Sequence, residues 1–170
     1  SLPPIGSSGG GSGGDAPLYF VDAATTGALA NSPVYNNGTG GVSATLTATI
    51  NGALPAQDGV TLVVNQRLLV QNQVSGLENG IYEVTQVGSG GTPYILTRAS
   101  DYDETGEIYP SQVNVQNGTL YADRYFLQKT VNPIIGTDAI VYQISPTPAS
   151  SNGRLIPADT VTTDILPNSP

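Results

Sequence analysis

The chain has 170 residues and a mass of 17.4 kDa, room for one domain with attached arms and too little for a multi-domain enzyme. Thirteen acidic side chains against five basic ones give a net charge of -8, which repels phosphate backbones and argues against direct nucleic-acid binding. Histidine and cysteine are both absent, which removes the imidazole general base, Ser-His-Asp and Cys-His arrangements, haem and iron–sulfur ligation, and His/Cys zinc sites.

Residues 1–15 open the chain as an arm. Ser1-Leu2-Pro3-Pro4 has neither the basic start nor the apolar core of a signal peptide. Ser1 fits what remains after an initiator methionine is removed ahead of a small residue, so the expectation is a complete small protein. The run Gly6-Ser7-Ser8-Gly9-Gly10-Gly11-Ser12-Gly13-Gly14 lacks side chains that could build a core and reads as a flexible arm or linker.

Residues 16–144 form the predicted domain, and its hydrophobic period is two. In Ala44-Thr45-Leu46-Thr47-Ala48-Thr49-Ile50, apolar side chains take one face and threonines the other, as in an amphipathic strand. Further β-branched or aromatic runs predict strands over 60–64, 67–71, 80–87, 94–98, 112–116, 124–129 and 138–144. Between them Asn51-Gly52, Asp58-Gly59, Asn79-Gly80 and Asn117-Gly118 supply the positive backbone angles of tight turns, and Gly88-Ser89-Gly90-Gly91 reads as a hairpin connection. With 21 glycines and 13 prolines, many turns and no 3.6-residue period of useful length, the fold class is all-β: an antiparallel β-sandwich or partly closed barrel, with helix confined to a short turn near 99–105. From residue 145 to 170, five prolines deny backbone donors and leave an extended C-terminal arm.

Few residues here point to chemistry. Asp101, Asp103, Glu104 and Glu107 form the densest acidic cluster, but Gly106 and the missing flanking helices do not match a Ca²⁺ loop, so a solvated acidic turn is the simpler reading and no cofactor or metal is expected. Glu78, Glu83, Asp101, Asp103 and Asp123 offer carboxylates for glycan hydrolysis without a motif that sets any pair apart. Gly88 to Gly91 is not followed by the Lys-Ser/Thr of a phosphate loop. Asn37-Gly38-Thr39 and Asn117-Gly118-Thr119 match a glycosylation acceptor but read as turns in a chain without a secretory signal. Tyr82, Tyr94, Tyr125 and Phe126 fall inside predicted strands as packing residues, whereas Tyr102, Tyr109 and Tyr121 lie near turns and are candidates for an exposed contact. Arg67 and Arg98 interrupt apolar strands and are expected to pair with carboxylates such as Glu78 or Asp101.

The order Asp58-Gly59-Val60-Thr61-Leu62, then Asn65-Gln66-Arg67-Leu68-Leu69-Val70-Gln71-Asn72-Gln73, then Glu78-Asn79-Gly80-Ile81-Tyr82-Glu83-Val84 resembles a β-rich module of tailed-bacteriophage virion proteins, tail-fibre proteins among them. The resemblance continues through Leu96-Thr97-Arg98-Ala99-Ser100-Asp101, Asn117-Gly118-Thr119, Tyr125-Phe126-Leu127 and Ile135-Gly136-Thr137-Asp138-Ala139-Ile140, and covers roughly 42–144. The chain departs at Asn65 and Gln71, where Gly-Asp-Arg-like and Lys-bearing versions are common, so a surface property tied to that lysine does not carry over. The resemblance brings no catalytic residue and implies a non-enzymatic virion-surface protein, with capsid decoration ahead of a tail-fibre module that binds a host-surface glycan. Its expected partners are other virion proteins and further copies of itself, a homotrimer by analogy with virion symmetry, with neither nucleic acid nor membrane among them. Leu2, Pro3, Pro4 and Ile5 at one end, and Leu155, Ile156, Ile165 and Leu166 at the other, are apolar groups isolated in the arms and the candidates for attachment.

Overall fold

The computed structural model describes residues 16–146. Both sets of arm candidates, Leu2, Pro3, Pro4 and Ile5 and Leu155, Ile156, Ile165 and Leu166, lie outside the described residues. The described chain runs β1 (Leu18–Val21), β2 (Ala23–Ala24), β3 (Val34–Asn36), β4 (Thr45–Thr47), β5 (Arg67–Val70), β6 (Gly80–Gln86), β7 (Ile95–Arg98), the single helical turn α1 (Thr105–Ile108), β8 (Gln112–Val115), β9 (Arg124–Gln128) and β10 (Tyr142–Ile144). Two open sheets result, one of four strands in the order β1-β8-β9-β10 and one of six in the order β2-β5-β6-β7-β4-β3. The protein is all-β, and the sheets pack as a sandwich without closing into a barrel.

Alternation along β5 and β6 explains the layering. Leu69 and Ile81 point toward the four-stranded sheet, where they meet Val21, Val113, Val115 and Phe126, and Ala99, Tyr102, Ile108, Ile135 and Ile140 fill the space between. Leu68, Val70, Tyr82 and Val84 point the other way, into a second core with Leu46 and Leu96 that Leu29, Leu54 and Leu62 close from the loops. The six-stranded sheet is thus covered on both sides over β5 and the first half of β6, which is why β5 is buried at three consecutive positions.

The expectation of antiparallel pairing holds for every pairing except β1 with β8 and β2 with β5, which are parallel. Both exceptions come from one extended segment that crosses from one sheet to the other at Asp22. The Asp22 N–H donates to the Arg67 carbonyl at 2.8 Å and its carboxylate accepts the Arg67 N–H at 2.8 Å, so one residue satisfies β5 in both directions. Thr25 then pins the end of β2, with its hydroxyl accepting the Gln71 N–H.

Three other expectations change. Residues 60–64 are not a strand, because Asp58-Gly59 closes a local turn between Gln57 and Val60, after which Leu62 drops into the second core and Val63 and Val64 stay exposed. Asn79-Gly80 does not make a tight hairpin: β5 and β6 are joined through 71–79, which contains the 3-10 turn Gly76–Glu78, and Gly80 already belongs to β6. The short helix stands at Thr105–Ile108, just past the expected segment, because Glu107 reaches back to accept the Asp103 and Glu104 N–H groups at 2.9 and 3.1 Å. By contrast, Gly88 to Gly91 does connect a hairpin, β6 to β7, and a Cβ on Gly88 would lie 2.1 Å from the Gly52 carbonyl oxygen.

Candidate functional site

The acidic cluster is absorbed by the fold. Asp101 holds the Arg67 guanidinium at 3.0 Å, with Glu83 at 3.7 Å on the other side, so the expected ion pair of Arg67 forms. Glu107 caps the helical turn, and Asp103 is buried beside it. Burial pushes the Asp103 carboxyl up, and the neighbouring Glu107 and Glu104 charges push it further. No group of three or more acidic side chains among the described residues is arranged to hold a metal ion.

Arg98 departs from expectation. Neither Glu78 nor Asp101 is its partner. Its guanidinium, in a residue 2% exposed, donates to the Asn79 carbonyl at 3.0 Å and the Tyr35 hydroxyl at 3.1 Å, and it lies 5.8 and 5.0 Å from the Tyr35 and Tyr82 ring centres.

Of the three tyrosines expected to be exposed, Tyr102 is corrected outright: it is fully buried in the core between the sheets. Its ring meets Tyr19 edge to face at 4.8 Å, and its hydroxyl is the middle of a chain in which Tyr142 donates to Tyr102 at 3.0 Å, Tyr102 contacts the Ser111 hydroxyl at 2.7 Å and Ser111 donates to the Ile108 carbonyl at 2.6 Å. Tyr121 is half-buried against Phe126, ring centres 5.2 Å apart. Tyr109 is half-buried beside an open depression of about 580 Å³ that it lines with Pro110, Gln112, Leu127 and Lys129. The strand residues behave as expected in Tyr82, Tyr94 and Phe126, which are buried, while Tyr125 is only half-buried.

Tyr125 belongs to a surface that the chain's local patterns conceal. On β1 the core takes Tyr19 and Val21, so Leu18 and Phe20 point away from the sandwich and are 42% and 50% exposed. The register places Leu18 beside Gln112, Gln112 beside Leu127 and Leu127 beside Gln143 in one row, and Phe20 beside Asn114 and Asn114 beside Tyr125 in the next. The outer face of the four-stranded sheet is therefore striped: apolar on β1, amide on β8, apolar on β9, amide again on β10. Neither row carries a charged side chain. Lys129, exposed and one residue past β9, marks the end of the face nearer Leu18. Asp22, just past β1, and exposed Asp123, just before β9, mark the other end.

The described chain also begins and ends on this sheet. β1 and β10 are its edge strands, and because β8 is parallel to β1 while β9 reverses and β10 reverses again, the chain enters at one end of β1 and leaves at the opposite end of β10. The described residues thus start and finish at diagonal corners of this face. The signal in the sequence was available only through pairing: Arg124-Tyr125-Phe126-Leu127-Gln128 is apolar at both parities, and which parity faces out is decided by its neighbours. No family model, curated protein or solved structure matches this chain.

Proposed function

We propose that this chain is a non-enzymatic structural protein of a tailed-phage virion, a β module held at the particle surface, with capsid decoration as its role. The observation that carries the reading is the uncharged outer face of the four-stranded sheet, with Leu18 and Phe20 exposed on it and the first and last described strands as its edges. Such a surface suits broad contact with other proteins more than capture of a small polar substrate. The segments that carry the resemblance to virion modules serve as framework in this fold: Asp58 holds a loop, Arg67 joins Asp101 and Glu83, and Arg98 fills the second core. Of the carboxylates that acid–base chemistry could use, Asp101 and Glu83 are engaged by Arg67 and Glu78 accepts from the Gln73 amide, which further supports a structural role.

A second reading, a tail-fibre module that binds a host-surface glycan, is favoured by the depression at Tyr109, where an aromatic ring, the Gln112 amide and Lys129 converge. Immunogold labelling of intact virions that encode this chain, with antibody raised against residues 16–144, separates the two. Label over the head is the expected result. Label on the tail would favour the glycan-binding module, and particles without label would overturn both.

A further inference from the structure

We infer that the outer face of the four-stranded sheet is where a second copy of this chain docks, face to face, about a two-fold axis lying across the strands. The inference rests on the structural reading above and names the partner of its exposed face.

Three features favour a copy of the chain over another occupant. The first is charge. A chain with net charge -8 repels itself wherever acids meet, yet both rows of this face, Leu18, Gln112, Leu127 and Gln143, then Phe20, Asn114 and Tyr125, are free of charge, so two copies approach there without like charges opposed. The second is the stripe pattern. Amides both donate and accept hydrogen bonds, so exposed Gln143 and half-buried Gln112 can each meet a counterpart in a second copy, as the apolar Leu18, Phe20 and Leu127 can, while Asn114 is buried between its neighbours and contributes only its lack of charge. The third is the ends. A two-fold axis across the strands brings the exposed Lys129 end of one copy against the end of the other that carries exposed Asp123, whereas a parallel alignment would set Lys129 against Lys129 and Asp123 against Asp123; Asp22, half-buried, keeps its carboxylate on the Arg67 N–H. This layout favours a two-fold pair over the trimer expected from virion symmetry.

Sedimentation velocity on the full chain across a concentration series tests the inference. The expected wild-type species has twice the 17.4 kDa chain mass. Phe20→Lys, at a half-exposed side chain, is expected to weaken the pair by about 30-fold or more. Gln143→Lys, at an exposed position of the same face, is expected to weaken it too and keeps the test open should Phe20→Lys fail to fold. Val34→Lys, at an exposed position of the six-stranded sheet, should leave the mass unchanged. A monomeric wild type, or an oligomer that survives both face substitutions, would overturn the inference. So would a monomer that dimerises only after deletion of residues 147–170, since the face would then belong to the chain's own tail. Virion labelling with a monomeric protein would leave the structural reading standing without the pair, whereas a pair found with no particle association would do the reverse.

Discussion

Arg98 shows how one side chain can tie together parts of the fold distant in sequence. A guanidinium in a residue 2% exposed has no carboxylate of the described residues within ion-pair distance, and burial opposes its charge, but the Tyr82 and Tyr35 groups around it more than offset that and raise its pKa. Its two hydrogen bonds reach Asn79, at the entrance to β6, and Tyr35, in the edge strand β3. A planar fork serves both at once and lies over aromatic rings, whereas an ammonium is a compact point charge that does neither as well. Arg98→Lys is therefore expected to destabilise the protein by about 1–3 kcal/mol, read from urea unfolding midpoints, because at least one buried acceptor or donor loses its partner. The glycine opposite is part of the same arrangement: a Cβ on Gly80 would sit 2.1 Å from an Arg98 terminal nitrogen.

Among the elements, the turns are held as firmly as the strands. Asp58, in a left-handed conformation with φ 50°, turns its carboxylate onto the loop between β8 and β9, where it accepts the Leu120 N–H at 3.0 Å and the Tyr121 N–H at 2.9 Å. Its own carbonyl accepts the Thr119 N–H at 2.9 Å. A Cβ on Gly118 would lie 2.2 Å from that carboxylate, so Asp58-Gly59 and Asn117-Gly118 form one interlocked pair of turns from two dipeptides 59 positions apart in numbering. Asp58→Ala is expected to cost about 2–3 kcal/mol, the scale of hydrogen bonds to a charged acceptor. Amide exchange at Leu120 and Tyr121 should accelerate in that variant, while exchange in β6 changes only by the global loss of stability. The sequence disclosed these dipeptides as turns because glycine and αL-tolerant residues announce them locally. It did not disclose that two of them touch. The same division runs through the strands: β4 and β6 are legible because their side chains alternate, whereas β2 is two alanines with little strand propensity of their own, held by parallel pairing to β5. Val63 and Val64 err in the other direction, being β-branched residues in a loop that a neighbouring turn keeps out of both sheets. Tyr102 misled for a related reason, since its position near a turn gave no sign of the hydroxyl partners, Ser111 and Tyr142, that let it be buried.

At the scale of the whole molecule, those buried hydroxyls give the fold a pH limit on the alkaline side. Burial pushes the Tyr94 and Tyr102 phenols up to about 12 from an ordinary 10.0, and it raises Tyr82 and Tyr142 as well. The folded state therefore keeps protons that the unfolded chain gives up near pH 10, and the stability this represents is fully present below pH 10 and lost as pH rises from 10 toward 12. Every phenol that stays protonated in the fold past pH 10 adds to this loss, the nearly fully buried Tyr102 foremost among those raised to about 12. Asp103 acts at the other extreme with the opposite practical effect: its carboxyl is raised, so acidification through its range relieves a buried charge beside Glu107 and Glu104 and does not break a partnership. Unfolding midpoints are thus expected to stay level through neutral pH and fall steeply above about pH 10. Tyr102→Phe separates the contributions. At pH 7 the variant should lose about 1 kcal/mol, because the Ser111 and Tyr142 hydroxyls forfeit a partner, yet its decline above pH 10 should be shallower than the wild type's by the share of one phenol. Parallel pH profiles for the two proteins would show that Tyr102 ionises in the fold as easily as in the unfolded chain, contrary to its burial.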